Sequence, residues 1–338
     1  MSEARVGGAL GAWLVLSGAL GAPNALADED PRQWLADMNT AVQTLTYEGV
    51  YVHLSDGRDE SFSIAHRYAG GHIRERLVSL SASGREVVRN DAEIECFLPD
   101  QRRVLVESHA QHGSLLGTLP ADERQLENYR LVLGPRERSV LGHEARWLSV
   151  IPKDRFRFGY RLQIDEKTRM PVRTELRDPS GQHVLARVLF TSLKVGGPIA
   201  DAQLRPSMPT EGYTWVRQSR EPPPPRTGAV IPWQVVNAPA GFKVSSSSVE
   251  LLPGDDGPVT HLVLSDGLAM VSVFIAGPTP PHRASDGQGR FGAAFVFSRV
   301  LGDRVVTAVG EVPAETVQTI AAGVTPVTNA LAGSPQRP

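Results

Sequence analysis

The chain has 338 residues, of which 41% are hydrophobic and 21% are charged, with 32 Gly and 26 Pro. This composition suits one or two globular domains and excludes collagen-like, coiled-coil and largely disordered proteins. The 35 basic and 37 acidic side chains give a net charge of -2, and no segment concentrates positive charge, so nucleic acid is not expected as a partner. The single cysteine, Cys96, excludes an internal disulfide and cysteine-rich zinc sites.

The first 27 residues have the pattern of a secretory signal peptide. Arg5 precedes an apolar stretch over residues 6–20, and Ala25-Leu26-Ala27 supplies the small-x-small cleavage pattern. The alternative is an uncleaved membrane anchor, but five glycines between positions 7 and 21, together with Pro23, interrupt the stretch. The sequence therefore predicts cleavage after Ala27 and a soluble mature protein exported to a bacterial periplasm.

The mature sequence opens with one helix and then changes to short alternating runs. Asp30-Pro31 is a helix start, and apolar residues follow at helical spacing up to Leu45. A second helix is predicted over residues 122–129, after Pro120. Strands separated by Gly, Pro, Asp or Ser are predicted over residues 47–54, 61–68, 73–80, 86–88, 94–98, 104–106, 145–151, 160–164, 171–176 and 184–195. Residues 28–196 thus form a first domain, a large antiparallel sheet with two helices. Which face of its strands points inward is left open.

The rest of the chain divides into a joint, a smaller domain and a tail. Residues 197–231 are proline-rich and are predicted to be an interdomain linker, although Trp215 indicates that part of it packs on a domain. Residues 232–323 alternate again and end in a helix over 312–322, which predicts a smaller α+β domain. Residues 324–338 are predicted to be a flexible tail.

No pattern of catalytic, metal-binding or cofactor-binding residues is found. Residues 287–292 match the G-x-G-x-x-G pattern, but a strand-like run follows instead of a helix, so a mobile glycine loop is the preferred interpretation. His109 and His112 have no third ligand nearby and are read as a solvated loop. The sequence has no G-x-S-x-G nucleophile elbow and no recognisable nucleophile and base arrangement. Cys96 alternates within a strand and is read as a small buried residue, with its reactivity left open. No enzyme activity, metal or cofactor is expected.

The sequence resembles the periplasmic sigma-factor regulators of the RseB/MucB type. The resemblance is carried by spaced elements over nearly the whole mature chain: residues 47–53 (YEGVYVH), His66, 75–77 (ERL), 85–89 (REVVR), 96–100 (CFLPD), 160–165 (YRLQID), 171–173 (PVR), 310–313 (GEVP) and 316–317 (TV). Two positions depart from the family: residues 80–84 replace a shorter Leu-Asp-Gly turn, and Phe97 replaces a usual Tyr. These departures concern a local hairpin.

The resemblance implies an α+β protein with two domains. The N-terminal domain would be an unclosed, curved antiparallel β-barrel with packed helices, similar to the lipoprotein carriers LolA and LolB, and a smaller α+β C-terminal domain would follow. It also implies a negative regulator of an envelope-stress sigma factor, which binds the periplasmic part of a transmembrane anti-sigma factor, shields it from proteolysis and is released by lipid or lipoprotein signals. The alternatives are a periplasmic lipid or lipoprotein carrier and an envelope hydrolase, against which the missing catalytic patterns speak. The oligomeric state is left open.

Side-chain type and strand position provide two sets of candidate binding residues. The candidates for a cavity that holds acyl chains are Tyr47, Tyr51, Phe62, Tyr68 and Leu77. The second domain has several arginines where acids are few, which is read either as a solvated face or as a docking surface for an acidic partner. The candidates for this partner surface are Arg283, Arg290, Phe291, Arg299 and Arg304.

Overall fold

The computed structural model describes residues 29–327, except residues 56, 82, 109–114, 117–118, 121, 123, 219–231, 251–256 and 278–285. The predicted signal peptide, the histidine pair and most of the predicted tail therefore lie outside the described residues. Within the described residues, no helix combines the length and the apolar character needed to cross a membrane.

Helix α1 (Pro31–Thr44) begins where the sequence predicts it. The Asp30 side chain accepts a hydrogen bond from the Arg32 backbone N–H at 2.9 Å, and Pro31 occupies the first turn, where no N–H is needed. Its apolar stripe is buried against the first sheet and consists of Trp34, Leu35, Met38, Ala41 and Val42. This stripe confirms the predicted amphipathic helix.

The first sheet contains twelve strands in the order β12-β6-β5-β4-β3-β2-β1-β11-β10-β9-β8-β7. Their bounds are β1 (Tyr47–Ser55), β2 (Arg58–Ala69), β3 (His72–Ser79), β4 (Glu86–Arg89), β5 (Glu93–Leu98), β6 (Arg103–Ser108), β7 (Tyr129–Arg138), β8 (Glu144–Pro152), β9 (Gly159–Asp165), β10 (Pro171–Arg177), β11 (Val184–Val195) and β12 (Thr214–Gln218). All neighbours are antiparallel except β12 and β6. The end strands, β12 and β7, do not pair with each other in the described residues, so the sheet is unclosed.

The second unit is smaller. Its six-stranded sheet has the order β14-β15-β16-β19-β18-β17, and a two-stranded sheet pairs β13 with β20. The bounds are β13 (Trp233–Val235), β14 (Lys243–Glu250), β15 (Val259–Ser265), β16 (Met270–Ile275), β17 (Gly287–Phe291), β18 (Ala294–Leu301), β19 (Arg304–Gly310), α2 (Ala314–Ala322) and β20 (Val324–Pro326). Helix α2 covers one face of β18 and β19, and its buried Val317 and Ile320 join the core of this unit. The predicted final helix is confirmed.

Several details of the chain differ from the sequence-based expectation. Residues 124–128 form turns, with one hydrogen bond to the fourth preceding residue (Leu126 to Asp122) and one to the third (Tyr129 to Leu126), so the predicted second helix is wrong. The first unit therefore has one α-helix in its described part, and packed helices as a feature of the fold reduce to α1. The predicted glycine loop at residues 287–292 is also wrong, because it forms strand β17 and a turn. Three strands were also not predicted. They are β7, β12, which lies within the predicted linker and pairs with β6, and β20, which lies at the start of the predicted tail and pairs with β13.

Candidate functional site

An apolar cluster lies on the inner face of the first sheet, where four of the five cavity candidates meet. Tyr51 stacks on Phe62 with ring centroids 5.3 Å apart and meets the edge of Phe190 at 5.6 Å. Tyr47 and Leu77 belong to the same cluster, which continues into α1 through Ala41 and Val42. The face of β1 that holds Tyr47 and Tyr51 is thus the inward face, which the sequence had left open.

The fifth cavity candidate lies elsewhere, and the structure adds a residue that sequence reasoning missed. Tyr68 is 37% exposed and does not belong to the cluster. Phe190 is buried at its centre because β11 pairs with β1 so that Phe190 lies opposite Tyr51. Gly49 allows this packing, since a Cβ there would lie 2.5 Å from the Ser192 carbonyl oxygen and 3.1 Å from the Phe190 ring. The alternation within β11 was the signal that could have identified Phe190.

A buried polar network borders this cluster. The Glu75 carboxylate lies 2.7 Å from His66 Nδ1 and accepts hydrogen bonds from Arg89 Nη1 at 3.0 Å and from the Leu115 backbone N–H at 2.9 Å. The His66 ring stacks on Tyr47 at 4.6 Å. The His66, Glu75 and Arg89 side chains are buried, and the Glu75 carboxylate is balanced by the Arg89 guanidinium. The network fixes β2, β3 and β4 together beside the apolar cluster. Burial, with Glu60 and Glu75 nearby, raises the pKa of Tyr51, which stays a neutral phenol.

A second site is the contact between the two units, which centres on one arginine. Arg157 follows β8 and is fully buried. Its Nη1 contacts Asp154 at 2.5 Å, and its Nη2 donates to the Ala240 carbonyl oxygen at 2.6 Å. Its Nε lies 2.7 Å from Asp266 Oδ2, an ion-pair distance at which the N–H is not directed at the oxygen. The guanidinium therefore joins a loop of the first unit to two segments of the second.

Aromatic rings and tight backbone contacts surround Arg157. Its guanidinium lies 5.2 Å from the Phe242 ring centroid and 5.8 Å from that of Tyr129, whose hydroxyl donates to Asp266 at 3.0 Å. Gly241 and Gly267 have φ of +87° and +104°, and a Cβ on either would collide with Asn128 or Gln125 of the first unit. The two units thus meet in a closely fitted contact.

The contact between the two units also has an apolar part. Phe158 and Leu176 of the first unit pack with Ala293 and Phe295 of the second. The Thr316 hydroxyl at the start of α2 donates to the Phe156 carbonyl oxygen at 2.6 Å. Burial, followed by the nearby Glu311 and Asp266 carboxylates, raises the pKa of Tyr160 to about 12. Sequence reasoning missed this contact, because its members are spread over strands, loops and a helix in both halves of the chain.

The candidates for a partner surface do not form one patch. Arg290 and Phe291 lie at the tip of the β17–β18 hairpin, and the Phe291 side chain is 77% exposed. Arg299 Nε and Nη2 donate to the Ala321 and Val324 carbonyl oxygens, so this residue fastens the end of α2. The Arg304 guanidinium lies over the Trp233 ring, 5.7 Å from its centroid. The fifth candidate, Arg283, lies outside the described residues.

Metal and thiol chemistry find little support in the described part of the chain. No cluster of three or more His, Cys, Asp or Glu side chains there could hold a metal ion. Cys96 is half-buried in β5, and burial, with Glu107 nearby, raises the pKa of its thiol, which lowers its thiolate fraction.

Comparison with known proteins adds the family to this geometry. The model of the MucB/RseB N-terminal domain matches residues 30–208, and that of the MucB/RseB C-terminal domain matches residues 228–325. The chain belongs to the MucB/RseB family. Two curated relatives are the sigma factor AlgU regulatory protein MucB of Pseudomonas aeruginosa, 31% identical over 93% of this chain and 96% of MucB, and the sigma-E factor regulatory protein RseB of Salmonella typhimurium, 28% identical over 91% and 94%.

Solved structures of the MucB/RseB family extend the similarity to three dimensions. The crystal structure of MucB in complex with MucA(peri) matches with 30% identity and a TM-score of 0.69, over 88% of this chain and 99% of that chain. A second match, the crystal structure of MucB, has 29% identity and a TM-score of 0.58, over 88% of this chain and 98% of that chain. The similarity therefore spans both units of the MucB/RseB fold.

Proposed function

We propose that this chain is a periplasmic negative regulator of an envelope-stress sigma factor. It binds the periplasmic domain of a transmembrane anti-sigma factor and shields that domain from proteolysis. The observation that carries the proposal is the match, across both units, to MucB solved in complex with MucA(peri). The chain acts by binding, without catalysis, and the predicted signal peptide over residues 1–27 directs it to the periplasm.

The first unit, over residues 28–196, is proposed as the lipid-sensing domain with a LolA-like open barrel. The cluster around Tyr47, Tyr51, Phe62 and Leu77 supports this role, because it is the apolar inner face of an unclosed sheet. Phe62 and Leu77 are only partly buried, and an acyl chain that covers them gains roughly 0.8 kcal/mol per buried methylene, before ordering costs. Tyr68 is placed outside the cluster and is retained only as a rim residue.

The second unit, over residues 232–323 together with strand β20 (Val324–Pro326), is proposed as the domain that binds the anti-sigma factor. Residues 197–231 are proposed as the linker, of which β12 joins the first sheet, and the rest of 324–338 as the tail. Lipid can release the partner only if lipid and partner favour different arrangements of the two units, and a coupling of about 1–3 kcal/mol is typical. The contact around Arg157 joins the two units directly, so it is the place where an arrangement favoured by lipid would differ from one favoured by the partner. We place the change at this contact as well as at the linker.

A binding experiment tests the proposal. The mature chain, residues 28–338, is titrated against the periplasmic domain of the anti-sigma factor from the same organism, alone and then with a long-chain phospholipid added. The proposal expects a specific complex that weakens by about 5- to 150-fold with lipid, as the coupling above implies. No binding in the absence of lipid would reject it.

The apolar inner face also supports a second function, that of a lipid or lipoprotein carrier. A carrier must pass its lipid to an acceptor, whereas a sensor need only bind it. Transfer of labelled lipid from the chain to acceptor vesicles, faster than spontaneous exchange and independent of any anti-sigma factor, would favour the carrier.

A further inference from the structure

Strand β17 forms an exposed edge of the second sheet. It is the last strand in the order β14-β15-β16-β19-β18-β17, and all five of its residues are exposed. Among the described residues, no strand pairs with its outer side. An edge of this kind presents unpaired backbone donors and acceptors that an extended peptide can use.

The hairpin geometry shows which backbone groups point outward. The two-residue turn at Gly292 and Ala293 begins with a φ of +59° at Gly292, as a tight hairpin prefers. Phe291 and Ala294 close this turn as a hydrogen-bonded pair, and such pairs alternate along an antiparallel ladder. The backbone N–H and C=O groups of Gln288 and Arg290 are therefore directed away from β18.

Among the described residues, both faces of the strand are open at Gly287 and Gly289. A Cβ on either glycine would meet no atom within 4 Å. Native edge strands are commonly protected by proline, lysine or a bulge, and β17 contains neither proline nor lysine. Phe291 at the end of the strand is 77% exposed, which places a large apolar side chain beside the open backbone.

A groove of about 330 Å³ lies between β17 and helix α2. Its floor is apolar and includes Phe295, Phe297 and Val317, while Arg290 lies at its rim. The Arg290 guanidinium is 5.5 Å from the Phe295 ring, and its Nε donates to the Gly292 carbonyl oxygen at 2.8 Å. The groove has roughly twice the volume of the ~150 Å³ cavity that holds benzene, so it accommodates a large apolar side chain. Its charge suits a neighbouring acidic residue.

We propose that β17 receives an extended segment of the anti-sigma factor's periplasmic domain as an added strand. An apolar side chain of that segment fills the groove, and an acidic side chain next to it meets Arg290. Main-chain hydrogen bonds to Gln288 and Arg290 supply affinity, while the groove supplies specificity. The inference rests on the proposed function and identifies the surface through which it acts.

Two variants at one position separate strand addition from side-chain contact. Gln288→Pro removes an outward N–H without removing a hydrogen bond to β18, whereas Gln288→Ala keeps that N–H and removes only the side chain. We expect Gln288→Pro to weaken binding of the anti-sigma factor's periplasmic domain at least about tenfold, and Gln288→Ala to stay within about threefold of wild type. If the wild-type chain binds and Gln288→Pro binds equally well, the strand-addition proposal is wrong, and the proposed function stands. If the wild-type chain does not bind at all, both are wrong.

Hydrogen exchange of the wild-type complex provides a test that does not depend on how the proline variant folds. The Gln288 and Arg290 amides should exchange rapidly in the free chain and become protected when the partner domain binds. The Gly289 amide, which bonds within the hairpin, should change less. Unchanged exchange at residues 288 and 290 in a saturated complex would overturn the proposal.

Discussion

Arg157 and Asp266 form an ion pair between the two units, with Nε and Oδ2 2.7 Å apart and both side chains fully buried. Asp266 also accepts hydrogen bonds from the backbone N–H groups of Leu268 and Ala269, so it is fixed by its own turn. Asp154 contacts Arg157 within the first unit, so each partner of the ion pair is also held by its own unit. Two domains joined only by a proline-rich linker would have no reason to bury such a pair.

Replacing Arg157 should separate the two units. Arg157→Met leaves Asp266 without its cation, and an uncompensated buried charge costs about 3–5 kcal/mol. We expect a lower melting temperature and a larger radius of gyration in small-angle X-ray scattering. The matched control is Arg155→Met, which breaks an exposed ion pair with Glu315 and should cost at most about 1 kcal/mol. Equal effects of the two variants would contradict the assigned role of Arg157.

The close approach at Gly241 offers a second test of the same contact. Gly241 and Gly71 have nearly equal φ, +87° and +86°, so alanine is similarly strained at both positions. A Cβ at Gly241 would lie 2.2 Å from Asn128 Nδ2, whereas one at Gly71 meets nothing within 4 Å. Gly241→Ala should therefore lower the melting temperature more than Gly71→Ala does, and only Gly241→Ala should increase the radius of gyration.

The carboxylate of Glu175 should make stability depend on acidic pH. Burial by itself would raise the pKa of Glu175, but hydrogen bonds from Arg177 and Arg173 outweigh it and lower that pKa. A lowered folded-state pKa stabilises the fold above the unfolded value of about 4.3, and this stability is lost as the pH falls through the folded value. Glu175→Gln should lack this loss, so urea denaturation between about pH 6 and pH 3 should give a flatter profile than wild type.

Glu95 provides a control of opposite sign. Burial, with Glu93 nearby, raises its pKa, so ionisation of Glu95 destabilises the fold as the pH rises through that value. Glu95→Gln should therefore be more favourable relative to wild type at neutral pH than at acidic pH. The same direction of change for both variants would show that the two pKa shifts are assigned wrongly.

Regular periodicity made much of the fold predictable, while local context hid the rest. Helix α1 and most strands were predictable, because the apolar residues that define their periodicity are the ones buried in the core. Strand β17 was missed because Gly287 and Gly289 have low strand propensity, and it forms through pairing with β18. Strand β12 was missed because its surroundings are proline-rich. Trp215 did indicate packing on a domain, and its ring contacts the Phe97 ring, with centroids 6.2 Å apart.

The candidate sites were also predictable only where their residues follow a regular local pattern. Tyr47 and Tyr51 share one face of one strand, so alternation grouped them correctly. Arg157 lies in a loop, and its partner Asp266 is far along the chain, so no local pattern links them. Arg299 was selected for its charge, but its guanidinium is used on backbone carbonyls, which composition cannot reveal.

The apolar cluster should control lipid binding. Leu77→Gln places an amide beside the cluster that holds Tyr51 and Phe62. A fully buried leucine contributes roughly 1.5–3 kcal/mol, and Leu77 is partly buried, so affinity for a fluorescent long-chain fatty acid should fall about fivefold to tenfold. Tyr68→Ala is the control, because Tyr68 lies outside the cluster and should leave this affinity within about twofold. Circular dichroism confirms that both variants are folded. A larger effect of Tyr68→Ala would place the lipid elsewhere.

The most direct measurement is protection of the anti-sigma factor's periplasmic domain from a protease that cleaves it, with the mature chain present and with phospholipid then added. The account predicts slow cleavage while the two proteins are bound, and a return to the unprotected rate when lipid is added. Cleavage at the unprotected rate in the presence of a saturating amount of the chain, without lipid, would contradict it.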